Sequence, residues 1–448
     1  MFKRVSPERW MRARFFRVLP LVAVLVSACL LRSASGVERF PPPDFDPGYR
    51  MPVTAQNPPL AAWREYVDVS LLLLGLATAS WLALRRRSRA GLLALSVAAL
   101  VWFGFVRQGC VCPIGAIQNV VLGLVDRTFV VPLGVLAFLL LPLVFTLFFG
   151  RTYCSSVCPH GALQDLVLLH PVRLPRWLTA LLGLFPHVYL GLAVLLAATG
   201  SVFIVCKYDP FVALFRMTGS REMLMLGALF IFAAMFIGRP YCRFACPLGA
   251  VFGWLSKLSW RHVTITPDEC IHCRLCEDEC PFDAIRKPLP VELSHNRTAG
   301  KVRLAVLVLL MPVLVGVGAW AGHRAGPVLA AHTDRTVQLA LDVQQSGLAK
   351  GATPPERAVV FKASGASVIA LEQSARDKLR AFRLGGAVFG GYLGLVFGGI
   401  LIGFTTRRPQ PDYVPDRAGC VSCGRCYMTC PREWVRLGRP MEDGGEAT

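Results

Sequence analysis

Two stretches of this sequence repeat one spacing of cysteines, Cys270-x2-Cys273-x2-Cys276-x3-Cys280-Pro281 and Cys420-x2-Cys423-x2-Cys426-x3-Cys430-Pro431. Three thiolates on one tight loop can each reach a corner of an iron-sulfur cubane, while the fourth points away and serves a neighbouring one. The spacing therefore predicts two [4Fe-4S] clusters with crossed ligands. Cys270, Cys273, Cys276 and Cys430 would hold one, and Cys420, Cys423, Cys426 and Cys280 the other. Structural zinc is the competing reading, but such sites favour paired Cys-x2-Cys groups with a longer spacer.

A second group of cysteines lies in apolar surroundings. Gly150-Arg151-Thr152-Tyr153-Cys154 through Cys158-Pro159-His160-Gly161-Ala162 recurs as Gly238-Arg239-Pro240-Tyr241-Cys242 through Cys246-Pro247-Leu248-Gly249-Ala250. Positions i and i+4 of a helix share a face, so each pair can present two sulfurs together. Cys154, Cys158, Cys242 and Cys246 could then hold a cluster, an iron or another metal. The alternative is packing, with cysteine as a small buried hydrophobe and Pro-x-Gly-Ala opening a closely packed helix. One apolar run before each copy lie Cys110-Val111-Cys112-Pro113 and Cys206. Cys110, Cys112 and Cys206 lack a fourth cysteine, which leaves a further metal site, a disulfide or thiols open. The duplication is expected to gather the first four cysteines on one membrane face and these three on the other.

The elements that must position these residues are helices in a membrane. Hydrophobic residues make up 54% of the chain and charged ones 17%, far from a soluble balance. About eight runs approach the roughly 20 apolar residues that a bilayer span requires, near 17–32, 66–84, 91–106, 129–149, 178–205, 221–238, 302–321 and 385–405. The expected fold is an all-α polytopic membrane protein with an internal repeat and a small cytoplasmic module of bacterial-ferredoxin type. The net charge of +20 clusters beside apolar runs, at Arg85 to Arg89, Arg173 to Arg176, Lys257 to Arg261 and Arg286-Lys287. That pattern marks the cytoplasmic side of spans and argues against a nucleic-acid partner.

Alternating spans put 33–65 outside, the Cys154 loop inside, the Cys206 loop outside and 239–301 inside. Residues 322–384 then fall outside and 406–448 inside. The two ferredoxin-type runs meet only across an even number of spans, which 302–321 and 385–405 supply. The expected divisions are an N-terminal anchor or signal with an outer segment (1–65), a transmembrane core with the duplicated motif (66–260), a first ferredoxin half (261–301), two helices flanking an outer segment (302–405) and a second half (406–448). Val26-Ser27-Ala28-Cys29 after a basic, then apolar, N-terminus fits either an uncleaved span or a signal segment with a lipidated Cys29.

At the Gly-Arg-x-Tyr-Cys-x3-Cys-Pro-x-Gly-Ala copies, at Ile265 to Cys276 and at Cys420 to Cys426, the chain resembles the NosR/NapH family of membrane-bound iron-sulfur proteins. The likeness runs from about Cys110 to Pro431 and is greatest to the membrane and ferredoxin parts of NosR. It implies electron transfer at the bacterial inner membrane toward a periplasmic reductase of anaerobic respiration. NosR carries a periplasmic flavin domain before its membrane part, and residues 33–65 are too short for one, so either the flavin or haem step falls to another subunit or the acceptor differs. Ser364-Gly365-Ala366-Ser367 reads as an ordinary loop rather than a flavin attachment site, and His187 as a core histidine rather than a haem ligand. Two functions fit: a relay joining a cytoplasmic or quinol donor to a periplasmic acceptor, or an assembly factor that reduces or matures a periplasmic metalloenzyme.

Overall fold

In a computed structural model the described residues are 62–109, 112–265, 270–289, 297–348, 355–405 and 410–438. The apolar run at 17–32, Cys29, most of the expected outer segment 33–65 and Cys110 lie outside them. Five helices among the described residues are long and apolar enough to cross a membrane: Trp63–Arg86, Arg89–Val106, Trp177–Ala198, Gly300–Thr333 and Val368–Phe404. Pro210–Arg216 and Arg221–Ala234, bent by 102° at the break between them, make a sixth if counted as one span. Two shorter apolar helices, Pro113–Val125 and Leu133–Phe149, cover the sequences around Cys112 and the run at 129–149.

The first two long helices form a hairpin whose tip, at Arg87 and Ser88, touches the ferredoxin-type loops. Arg87 donates to the carbonyls of Thr264 and Ile265 and pairs with Glu433. At the hairpin's other end Asp68 accepts from Trp102 Nε1 at 3.0 Å and pairs with Arg107 at 2.7 Å. Leu133–Phe149 starts at that far end, where Gly134 N–H donates to Glu65, and finishes beside Trp260 and Arg261. Each long helix ends in π-helical turns, Leu82–Arg86 and Leu100–Val106. Such turns are uncommon, and many occur at functional sites.

The last two long helices, Arg297–Thr333 and Val368–Thr405, are 37 and 38 residues long, or about 55 Å each. They outrun a bilayer core, so the expected outer segment 322–384 begins and ends as their continuation, with Arg335–Leu348 and Glu356–Ala363 between. Glycines set their separation. Gly318, Gly322 and Gly326 lie against Gly386, Gly390 and the Phe382 carbonyl, and a Cβ at Gly322 would overlap the carbonyl of Gly386. Small residues every fourth position let two membrane helices reach backbone contact.

The ferredoxin-type module closes between sequence-distant halves. Strand β1 (Ile285–Arg286) pairs antiparallel with β2 (Val414–Pro415), with a further bridge between Leu289 and Gln410. The helical insertion therefore leaves the module at one edge and returns to the same edge.

Candidate iron-sulfur sites

Each Cys-x2-Cys-x2-Cys loop is bent by left-handed residues at matching places, His272 and Arg274 in one, Ser422 and Gly424 in the other. Glycine takes that conformation without strain, and the other three are held there by their surroundings. The bends curl each loop around a cavity. One cavity, of about 130 Å³, is lined by Cys270, Cys273, Cys276 and Cys430. The other is lined by Cys280, Cys420, Cys423 and Cys426. The fourth cysteine of each run thus faces the cavity of the other run. Cys280 and Cys430 have extended backbones before prolines, as a pre-proline residue must, and this turns them away from their own loops.

The donor chemistry suits a metal cluster. Burial and the neighbouring Cys273, Cys270 and Cys430 thiols push Cys276 up to about 12. Burial likewise raises Cys420 to about 12 and Cys280 to about 11. Thiols this hard to ionise become thiolates only when a cation compensates them, so loading either cavity releases protons. Cys270 also lies with His272 and Asp412 in a compact donor group; His272 and Asp412 are partly exposed, and Asp412 lines the cavity.

The membrane cysteines meet differently from expectation. Cys154, Cys158, Cys242 and Cys246 do come together in one buried cluster. Cys112, expected with a separate outer group, packs into the same cluster, within electrostatic reach of Cys158. Cys206 lies against Gly115, one turn beyond Cys112. The two groups meet where short helices that begin at their cysteines converge. Pro113–Val125, Pro159–Val167 and Pro247–Lys257 each start with a cysteine N-cap and a first-turn proline, the arrangement that favours helix initiation. Segments from opposite ends meet where His160 Nε2 and Asp209 Oδ2 are 3.1 Å apart and Val205 N–H donates to Gln118 at 3.0 Å. Among the described residues, the buried Tyr241 hydroxyl and Gln118 amide nitrogen there have no hydrogen-bond partner, which leaves donors for a sulfide- or thiolate-rich group.

The duplicated arginines do work that spacing did not reveal. Arg239 of the second copy donates to the carbonyls of Cys154 and Ser155 in the first and lies at Gly161. Arg151 of the first copy lies at Gly249, the equivalent glycine of the second, and donates to the Ala418 carbonyl at 2.8 Å. Each glycine leaves room for the other copy's guanidinium. Asp165 sits at the crossing, buried against Arg89, Arg239 and Arg425 at the edge of the ferredoxin-type module. Burial alone would raise its carboxyl, but those arginines outweigh it and hold Asp165 well below the usual carboxylate range. The Gly-Arg repeat was the available signal for Arg151 and Arg239. Nothing local marked Asp165 or Arg89.

Two other candidates resolve into structure. His187 stacks on Trp254 and its Nδ1 is 3.1 Å from the Tyr392 hydroxyl. Ser364 and Gly365 end one helix, and Ser367 opens the next by accepting from Ala370 N–H.

A family of 4Fe-4S binding domains matches residues 91–132, 131–177 and 222–266, and a second 4Fe-4S binding domain matches 263–286. The first family's three segments contain the Cys110/Cys112, Cys154/Cys158 and Cys242/Cys246 motifs, and the second contains the first ferredoxin-type run. An uncharacterised protein of Methanocaldococcus jannaschii is 27% identical over 41% of this chain and 77% of its own length. YccM of Escherichia coli, a protein assigned provisionally to electron transport, is 30% identical over 24% of this chain and 33% of its own. No solved structure matches the chain. The chain is thus an iron-sulfur protein with 4Fe-4S binding domains and several helices long enough to span a membrane.

Proposed function

We propose that this protein is a membrane-bound iron-sulfur electron carrier, relaying electrons between a cytoplasmic or quinol donor and a periplasmic acceptor such as a respiratory reductase. The observation that carries the reading is the continuity of the cysteine sets. Cys154 packs against the same apolar cluster as Cys280 and Cys420, and it belongs with Cys158, Cys242 and Cys246 to the buried set that Cys112 joins.

In this reading Cys270, Cys273, Cys276 and Cys430 hold one [4Fe-4S] cluster, and Cys420, Cys423, Cys426 and Cys280 a second. The membrane cysteines hold further redox-active metal. Bound clusters supply one-electron carriers; the chain supplies thiolates, spacing and exclusion of water. The first set reaches solvent at Cys273, with Cys276 and Cys430 buried, while in the second set Cys280 and Cys420 are half-buried and Cys423 and Cys426 buried. The similarity to YccM and the resemblance to NosR/NapH proteins support the same assignment. A flavin- or haem-carrying subunit at the far side would complete the path to the acceptor.

A second reading is an assembly factor that reduces or delivers metal to a maturing periplasmic enzyme. The exposure of Cys206, near the end of the path away from the ferredoxin-type module, favours it. Iron content and EPR of anaerobically purified protein, with and without Cys112→Ala, separate the two. A relay has iron beyond the eight of two ferredoxin clusters and loses a reducible signal in the variant. Eight irons and unchanged spectra in the variant would sink the relay and leave the assembly role.

A further inference from the structure

Between the membrane cysteines and the cavity of Cys280, Cys420, Cys423 and Cys426, the inner of the two because it lies nearer them, is a concentration of buried positive charge. Arg425 lines that cavity and has only 7% of its side chain exposed. Arg89 donates to the Cys423 carbonyl at 2.9 Å and lies within electrostatic reach of the Cys423 sulfur. Arg151 is within reach of both Cys420 and Cys154, and Arg239 of Cys154, Cys158 and Cys242.

Among the described residues, one buried carboxylate, Asp165, and the part-exposed Glu279, 3.6 Å from Arg425, stand against Arg89, Arg151 and Arg425 at this cavity, and Asp165 is shared with Arg239. Asp283 and Asp416 also approach, but each is paired with an arginine of its own, Arg243 and Arg286. The balance around the inner cavity is positive and shielded from salt.

The outer cavity differs. Its lining includes Arg274 and Arg432, both exposed, where water and ions screen them. Asp412 lies beside Cys270, and the buried Glu433 near Cys430 is matched by Arg87 and Arg436. No comparable excess of buried charge surrounds this set among the described residues.

We propose that Arg89, Arg151 and Arg425 make the inner cysteine set, Cys280, Cys420, Cys423 and Cys426, the higher-potential of the two ferredoxin centres, so that electrons entering on the side of the exposed Cys273 drain toward the membrane cysteines. The inference rests on the assignment of one [4Fe-4S] cluster to each cavity. Reduction adds one negative charge to a centre that is already anionic with four thiolates. Nearby positive charge stabilises the reduced form, and its effect is greatest where water does not screen it. Burial by itself pushes the other way, since water also stabilises the added charge. The proposal is that several unscreened guanidiniums outweigh that single desolvation effect. They act through their charge, and Arg151 also bonds to Cys154 of the neighbouring cysteine group.

The test is an EPR-monitored redox titration of the purified full-length holoprotein. Two ferredoxin-type midpoints are expected, and Cys423→Ser should alter the spectrum of the higher one. Arg425→Gln and, from the membrane side, Arg89→Gln should each shift that midpoint downward and leave the lower one in place, while Arg425→Lys restores most of the shift. In the wild-type protein the lower midpoint should move with ionic strength more than the higher, which needs no variant to assemble. The proposal is overturned if Cys273→Ser rather than Cys423→Ser alters the higher-potential spectrum, or if the assembled glutamine variants leave both midpoints unmoved. Absence of any two reducible cluster signals would instead overturn the assignment of clusters to the cavities.

Discussion

Cys273 and Cys423 owe their placement to residues within a few positions of them, whereas Cys112, Cys158 and Cys246 owe theirs to helices from distant parts of the chain. In the ferredoxin-type loops, left-handed residues at 272, 274, 422 and 424 curl the backbone around each cavity. In the membrane part, three helices that begin at a Cys-Pro step converge, and the guanidiniums of Arg151 and Arg239 are exchanged between the repeat copies. A locally built site can be read from spacing. A site built from helix ends depends on which segments cross and which turn back.

The contrast can be broken by cutting a single crossed ligand. Cys280→Ala is expected to cost one whole cluster, about four irons of the eight in two ferredoxin clusters, and to erase the spectrum tied to Cys420, Cys423 and Cys426. Damage confined to the centre of Cys270, Cys273 and Cys276 would show that each run serves itself, and the crossed geometry of the cavities would be without function.

The junction between the two regions should be the next most sensitive place. Asp165→Ala leaves three buried arginines without their shared carboxylate, and breaking a buried pair costs about 3–5 kcal/mol. A large fall in the thermal aggregation midpoint of detergent-solubilised protein is expected. A midpoint equal to wild type would mean that solvent reaches the arginines and that the two regions are joined less tightly than the contacts imply.

The long hairpin offers a smaller effect with a different signature. Gly322→Val forces the glycine-packed helices apart, and overpacking of this kind costs about 1–3 kcal/mol. Faster proteolysis of residues 335–365 is expected, with iron content held. Loss of iron from this variant would tie cluster assembly to the hairpin, which carries none of the cavity cysteines.

Much of this was legible because cysteine spacing and apolar runs are local signals. The crossed sets at Cys280 and Cys430 follow from a proline that forces each preceding residue into an extended backbone. The long spans at 66–84 and 302–321 follow from hydropathy. The meeting of Cys112 with Cys158 did not, because an apolar run of 13 residues such as Pro113–Val125 has the composition of a span without its length. The arginine cluster was hidden for another reason: Arg89 looked like one more basic residue at a membrane face, and its contacts with Asp165 and the Cys423 carbonyl, both distant in sequence, distinguish it. Arg85 and Arg86, beside it in sequence, remain at the surface.

The central claim is that electrons cross the membrane through this chain, and sealed vesicles test it most directly. The protein would be reconstituted with its ferredoxin-type module outward and a membrane-impermeant one-electron acceptor, such as cytochrome c, trapped inside. Dithionite added outside should reduce the trapped acceptor, more slowly with Cys246→Ala and no faster than protein-free vesicles with Cys423→Ala. Reduction by the wild-type protein at the protein-free rate, in vesicles whose outer clusters are fully reduced, would contradict transmembrane electron transfer and confine the protein's redox chemistry to one face.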